Sequence, residues 1–184
     1  MSEEKTILEK MEVLRLSNEE SNKITKECIQ TALVLLMKEQ DFAHISITDI
    51  AKKAGVSRTA YYRNYQTKED VLRNLLDDVA KNIHKSMKKY LVSDDEYKYW
   101  LCMFQDITPY AETAKLLFNA HFGEEIENGI YNMLIGEYTN PVNSDKYIER
   151  FWSGAVCAVI KQWLLGDMKE SPENMATICC KAND

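Results

Sequence analysis

Glycine and proline are scarce, 6 and 3 in 184 residues. Sandwiches and barrels need turn residues at short intervals, so an all-β fold is excluded. Long apolar runs are missing too. The longest stretch, Phe151 to Ile160, stops at Lys161 and falls short of the ~20 residues a membrane-spanning helix needs. The first ten residues are acidic and polar, so no secretory leader is expected and a cytoplasmic location is. Cys28, Cys102, Cys157, Cys179 and Cys180 form no C-x-x-C pair, and His44, His84 and His121 stand apart. Reduced, buried thiols are expected, without metal or cofactor. Glu124, Glu125 and Glu127 read as a solvated face, and no nucleophile–base pair appears. An enzyme is not expected, although a small all-α enzyme stands as the remote alternative from another class.

Leu, Met, Lys, Glu and Ala are plentiful, with 45% apolar and 28% charged residues overall. These favour helix, and the expectation is an all-α protein. The net charge of −6 argues against nucleic acid, but its distribution reverses that argument. Residues 1–20 hold 3 basic and 6 acidic side chains, residues 21–92 hold 13 and 8, and residues 93–184 hold 7 and 15. A basic segment ahead of an acidic body suits a chain in which one end meets a polyanion.

Ile7, Met11 and Leu14 have helical spacing, so residues 1–20 are either a short amphipathic helix or a mobile tail. Ile24, Cys28, Ala32, Leu33, Leu36 and Met37 predict a helix to about Gln40. Ser46 with Asp49 is a capping box opening a helix over Ile47–Ala54, which Gly55 ends in a left-handed conformation. Ser57 caps a helix over Arg58–Asn64. Thr67 with Asp70 opens a long helix through Val71, Leu75, Val79, Ile83 and Met87 to near Leu91. Ser93-Asp94-Asp95, Thr108-Pro109 and Ser171-Pro172 are further helix starts, and Asn140-Pro141 is a break. An apolar helix is expected from Asp145 to Leu165.

The two short helices around Gly55-Val56-Ser57 make a helix-turn-helix pattern. Ala51 permits a close crossing, and Val56 fills the space between the helices. Between Ile47 and Lys68 there are five basic residues and one acidic residue, Asp49.

The stretch ISITDIAKKAGVSRTAYYRNYQTKEDVL, residues 45–72, resembles the DNA-binding head of the TetR family of bacterial regulators. The match lies in Ile50-Ala51, the Ala54–Ser57 turn, Tyr62, the aromatic at 65 and Lys68-Glu69. FWSGAVCAVIKQWLLGDMKESPENMA also resembles a Gram-positive subgroup that includes a dihydroxyacetone-kinase operon regulator. The resemblance implies an N-terminal helix-turn-helix head and a C-terminal helical body for ligand binding and dimerisation. The corresponding boundaries are an N-terminal extension, 1–20, a head, 21–66, and a body, 67–184. Three residues depart from the family's usual pattern: Thr59 stands for Gly, Ala60 for Thr or Ser, and Asn64 for His or Tyr.

The resemblance implies a homodimeric regulator of double-stranded operator DNA, a repressor released by a small apolar or aromatic effector. The alternative is a ligand-independent or partner-controlled regulator, or an activator. Arg58 suits guanine O6 and N7, and Thr59 and Ala60 suit a thymine methyl. The other expected DNA contacts are Ser46, Thr48, Ser57, Tyr62, Arg63, Asn64 and Lys68. Of these, Lys68 is expected to hold phosphate by its charge and the open N–H groups of its helix start. Tyr61 and Tyr65 are expected in the head's core. Trp100, Met103, Phe104, Tyr110, Phe118, Phe122, Tyr131 and Tyr138 are core residues or the lining of a cavity of the usual ~300–1,000 Å³. The helix holding Phe151, Gly154, Ala155, Ala158 and Gln162, with Met175 and Ile178 on the last helix, forms a dimer interface or is buried centrally in one subunit.

Overall fold

Where no glycine or proline interrupts, helix continues. The computed structural model describes residues 2–92, 95–138 and 146–183, with side chains at all of these except 2–17, 91–92, 133–138 and 182–183. Helix α1 spans Ser2–Glu39, so residues 2–20 are continuous with the segment that follows. The sequence between Ser2 and Glu39 holds neither breaker, which is why the helix runs on through residue 20. Then come α2 (Ile47–Ala54), α3 (Arg58–Asn64), α4 (Lys68–Val92), α5 (Glu96–Ile107), α6 (Ala111–Asn119), α7 (Gly123–Tyr138), α8 (Lys146–Leu165) and α9 (Pro172–Asn183). Single 3₁₀ turns precede α2, at Phe42–His44, and α6, at Thr108–Tyr110. Among the described residues there is no strand. Ser93, Asp94 and the break at Asn140-Pro141 lie outside the described residues, as does the expected helix start at Asp145. Asp95 caps α5 by accepting from the Lys98 N–H at 3.1 Å.

The chain divides into two compact units, Met1–Leu72 and Arg73–Asp184. In the first, α1 packs on α2, and α3 packs on both. Its core is Ile29, Leu33, Ile50, Tyr61, Val71 and Leu72, each fully buried. In the second, α5 packs on α9 and α7 on α8. Ile83 and Met87 of α4 join Phe104, Val156, Ile160, Trp163 and Leu164 in its core. Phe104 is wholly buried and meets Trp163 edge-on, with ring centres 5.1 Å apart. The Trp163 indole donates to the Glu170 carbonyl at 2.8 Å, so this large ring is buried with its polar atom satisfied.

Phe104→Ala removes a wholly buried ring that packs edge-on against Trp163. We expect a loss of about 3–5 kcal/mol in urea unfolding. A loss below 1 kcal/mol would mean that the body closes over the gap.

Candidate nucleic-acid interface and body cavity

The head presents its functional groups through helix starts. Ser46 sits in extended conformation before α2. Its hydroxyl accepts from the Asp49 N–H at 3.2 Å and donates to Asp49 Oδ2 at 2.6 Å. Asp49 Oδ2 also accepts from the Ser46 N–H at 3.1 Å. The side-chain bond from Ser46 holds the Asp49 carboxyl below the usual carboxylate range. Both polar hydrogens of Ser46 are therefore engaged in the cap. Thr48, exposed in the first turn of α2, remains outward.

Gly55 ends α2 at φ 67°, and the Val56 N–H bonds back to the Ala51 carbonyl at 3.0 Å. A side chain at position 55 would be strained in this left-handed conformation, which glycine adopts freely. Ser57 accepts from the Ala60 N–H at 3.1 Å and starts α3 two residues after the turn. Its hydroxyl hydrogen is still able to donate.

On α3, one face is sealed and the other open. Tyr61 is fully buried, its hydroxyl donating to the Thr67 carbonyl at 3.1 Å. Burial is the first cause that pushes its phenol well above the ordinary value, so it stays neutral. Tyr65 is buried and receives the Gln30 amide at 3.4 Å. Both tyrosines stand in the core. Arg58, Thr59, Tyr62 and Arg63 are exposed, and Ala60 is half-buried. The Arg58 guanidinium lies 5.9 Å from the Tyr62 ring centre, and the Tyr62 ring stands edge-on to Tyr61.

Three expected contacts are placed differently. The Asn64 amide turns back to donate to the Ala60 carbonyl at 2.8 Å, with its oxygen buried and lacking a hydrogen-bond partner among the described residues. A side chain near the end of a short helix satisfies that helix's own carbonyl before it reaches outward. Ser46 serves as a cap rather than as a free hydroxyl. Lys68 aims its ammonium at the carbonyls of Phe42, Ala43 and Ile45, at 2.6, 3.2 and 3.0 Å, and lies 4.4 Å from the Phe42 ring centre. Its charge is met by these carbonyls in the DNA-free protein.

The body holds a cavity of about 100 Å³ lined by Leu76, Val79, Ala80 and Ile83 of α4, Met103 and Ile107 of α5, Tyr110, Ala114, Phe118, Ile126, Gly129, Ile130, Ile160 and Leu164. It is smaller than the range expected from the sequence, and mostly aliphatic. Met103, Tyr110 and Phe118 line it as expected. Trp100, Phe104 and Met103 line a second hollow of about 80 Å³ with Trp152, Ala155, Val156, Val159 and Cys179. Phe122 is buried outside both linings. Tyr131 is drawn into the polar seam of α7 and α8. Its hydroxyl donates to Glu149 at 3.4 Å, and the Arg150 guanidinium lies 3.7 Å from its ring centre. The Tyr138 side chain lies outside the described residues. Aliphatic side chains carry no sequence signal that separates cavity lining from packed core, which is why the lining was missed.

The expected dimer residues also separate. Phe151 is 68% and Ile178 51% exposed, and Ala158 and Gln162 are exposed as well. Tyr147, Ile148 and Leu165 extend this open apolar surface along α8. Met175 is buried against the body's own core, because α9 packs on α5. Ala155 lines the second hollow, and a Cβ on Gly154 would meet Glu127 of α7 at 4.0 Å. Met175 is thus taken up by the subunit's own packing, while Gly154 and Ala155 are half-buried. Of the thiols expected to be buried, Cys157 and Cys179 are, Cys102 and Cys180 are half-buried and Cys28 is exposed. Burial raises Cys102 and Cys157 and pushes Cys179 up to about 11. Among the described residues, no group of His, Cys, Asp and Glu is arranged to hold a metal ion, and no helix is long and apolar enough to cross a membrane.

Two family models match the chain. One, described as bacterial regulatory proteins, tetR family, covers residues 29–75; the other, a transcriptional regulator C-terminal region, covers residues 98–183. An uncharacterized HTH-type transcriptional regulator, YxbF of Bacillus subtilis (strain 168), is 32% identical over 59 residues, 32% of this chain and 16% of that protein. The HTH-type transcriptional regulator EthR of Mycolicibacterium smegmatis is 44% identical over 46 residues, 25% of this chain and 21% of that protein. The chain thus spans 16% and 21% of the length of these curated relatives. A TetR transcriptional regulator from Streptococcus agalactiae superposes with a TM-score of 0.59 at 23% identity, over 89% of this chain and 96% of that one. The dihydroxyacetone kinase operon activator DhaS does so at 0.60 and 20%, over 86% and 93%. At these identities the structural likeness establishes the fold. With residues 29–75 matched by the tetR family model and residues 98–183 by a transcriptional regulator C-terminal model, the chain belongs to the tetR family of bacterial regulatory proteins.

Proposed function

We propose that the protein is a dimeric, sequence-specific DNA-binding transcriptional regulator. The observation that carries this is the outward face of α3: Arg58, Thr59, Tyr62 and Arg63 are exposed together on a helix whose opposite face is anchored by buried Tyr61. Such a helix suits the major groove, with Arg58 toward a guanine and Thr59 and Ala60 toward a thymine methyl. Tyr62, Arg63, Thr48 and Ser57 suit the phosphates, which position the head without reading sequence. The head is residues 21–66, preceded by an extension and followed by the regulatory body.

Two copies pair through the open sides of α8 and α9, with Phe151, Ala158 and Gln162 of α8 and Ile178 of α9 at the centre. Leaving these apolar groups in water opposes a monomer. The protein acts in the cytoplasm, where its DNA is, and does no catalysis. Repression relieved by an effector is the reading the cavity supports. A volume of about 100 Å³ and an apolar wall suit a small uncharged molecule; for scale, a dry cavity of roughly 150 Å³ takes benzene or xenon. The modest volume also favours a second reading, a regulator under partner control or without an effector.

Gel-shift titration on the DNA flanking its own gene tests the function. Arg58→Ala should cost about 1–3 kcal/mol and relax preference at one base pair. Equal losses on specific and random duplexes would remove Arg58 from base reading. Ala158→Glu places a charge on the exposed strip of α8 and should yield monomers in sedimentation with weak operator binding; an unchanged dimer would place the interface elsewhere. Gly129 lines the cavity, and a Cβ there meets nothing within 4 Å. Gly129→Leu should therefore raise stability by about 1 kcal/mol and abolish any rise in Tm that benzene gives the parent protein. A benzene response that survives the substitution would exclude this cavity as the site.

A further inference from the structure

Met103 is 1% exposed, and it stands in the lining of both hollows of the body. Among the described residues it is the one side chain that the two linings share. The hollows follow one another along the same two helices. Trp100 and Phe104 of α5 line the smaller with Val156 of α8; further along each helix, Ile107 lines the larger with Ile160 and Leu164. Met103 is the partition between them.

A partition made of methionine can move. The side chain is unbranched, has three rotatable bonds and adapts to irregular gaps. Its own volume stays constant as it turns, so turning transfers empty space from one side to the other. The smaller hollow, about 80 Å³, is close to the volume of the three heavy atoms beyond the Met103 Cβ, taken at roughly 30 Å³ each. Folded into that hollow, they would fill it and leave their former space to the larger cavity. The larger cavity would then hold both volumes, about 100 and about 80 Å³, together above the roughly 150 Å³ at which a dry cavity takes benzene. Each hollow alone falls below that size. The walls stay uncharged throughout. Neither lining holds a charged side chain, and burial keeps the Cys179 thiol of the smaller hollow neutral, pushed up to about 11. We propose that Met103 is a movable wall: its side chain folds into the smaller hollow, and the enlarged cavity then takes an uncharged single-ring ligand that neither hollow admits alone. This rests on the effector reading of the cavity above and names the size and class of molecule it takes.

The test is the rise in Tm that benzene gives the intact protein. Ala155 lines the smaller hollow and not the larger. Ala155→Leu fills the space that Met103 needs, so the rise should vanish although no wall of the larger cavity is altered. Adding Met103→Ala to Ala155→Leu removes the side chain that has nowhere to go, and the rise should return. A rise that Ala155→Leu leaves intact, or a loss that Met103→Ala does not rescue, would overturn the proposal. If Ala155→Leu does not fold, Met103→Leu and Met103→Ala decide. Leu keeps the volume but is shorter and branched, so the rise should be lost with Leu and kept with Ala; equal responses would overturn the proposal. Loss with Gly129→Leu alone would keep the larger cavity as the effector site and take Met103 out of its working. A parent without any benzene response would also overturn the movable wall, while the effector reading would still be judged by release from DNA in the gel shift.

Discussion

The head depends on the burial of Tyr61. Helices of eight and seven residues, as α2 and α3 are, do not persist alone in water, since nucleation is unfavourable and too few bonds follow it. Their stability comes from packing. Tyr61 is fully buried, touches the rings of Tyr62 and Tyr65, and bonds the Thr67 carbonyl at the entry to α4. One ring thus fixes the rotation of α3 about its axis, and with it the residues that can face outward. Arg58 and Thr59 are presented because Tyr61 is not.

The body answers a different constraint. Five helices and the C-terminal part of α4 must share one core. Aromatic rings alone do not fill it: Phe104 and Trp163 close the centre, and aliphatic side chains leave the 100 Å³ cavity to one side. α8 is apolar nearly all round, so its inner side is used in the core while Tyr147, Ile148, Phe151 and Leu165 stay exposed. This surplus is what a second copy would cover. Polar residues resolve the seam between α7 and α8, where Arg150 bridges from the Tyr131 ring to Asn128.

The helix starts were legible because capping leaves a local signature. Ser46 with Asp49, Gly55, Ser57 and Thr67 with Asp70 each act within a few residues of themselves, and each stands where the spacing places it. The buried roles of Tyr61 and Tyr65 were implied by the family resemblance, and both are buried. The body was less legible, because whether an apolar residue lines a void, a core or an open face depends on helices distant in sequence. Met175 reads as well for an interface as for a core, and only the packing of α9 on α5 decides it. The partners of Lys68 were illegible for a related reason: the carbonyls that meet it lie 23 to 26 residues earlier.

Separating engaged from open groups sharpens where specificity resides. The Ser46 hydroxyl, the Asn64 amide and the Lys68 ammonium are engaged by the protein itself. Each holds a helix end in place, and none is left outward as a free donor. On the proposed reading, base recognition falls to a short run, Arg58 with Thr59 and Ala60, in which one residue brings a bidentate donor and the other two bring methyl groups. A site read by so few side chains draws much of its affinity from backbone contacts that are the same for every sequence. Under the proposed dimer, symmetry would multiply that selectivity, two half-sites being read by two heads. The exposed strip on α8 would then be as necessary to recognition as Arg58, because a single head would offer too few base contacts to tell an operator from the rest of the chromosome.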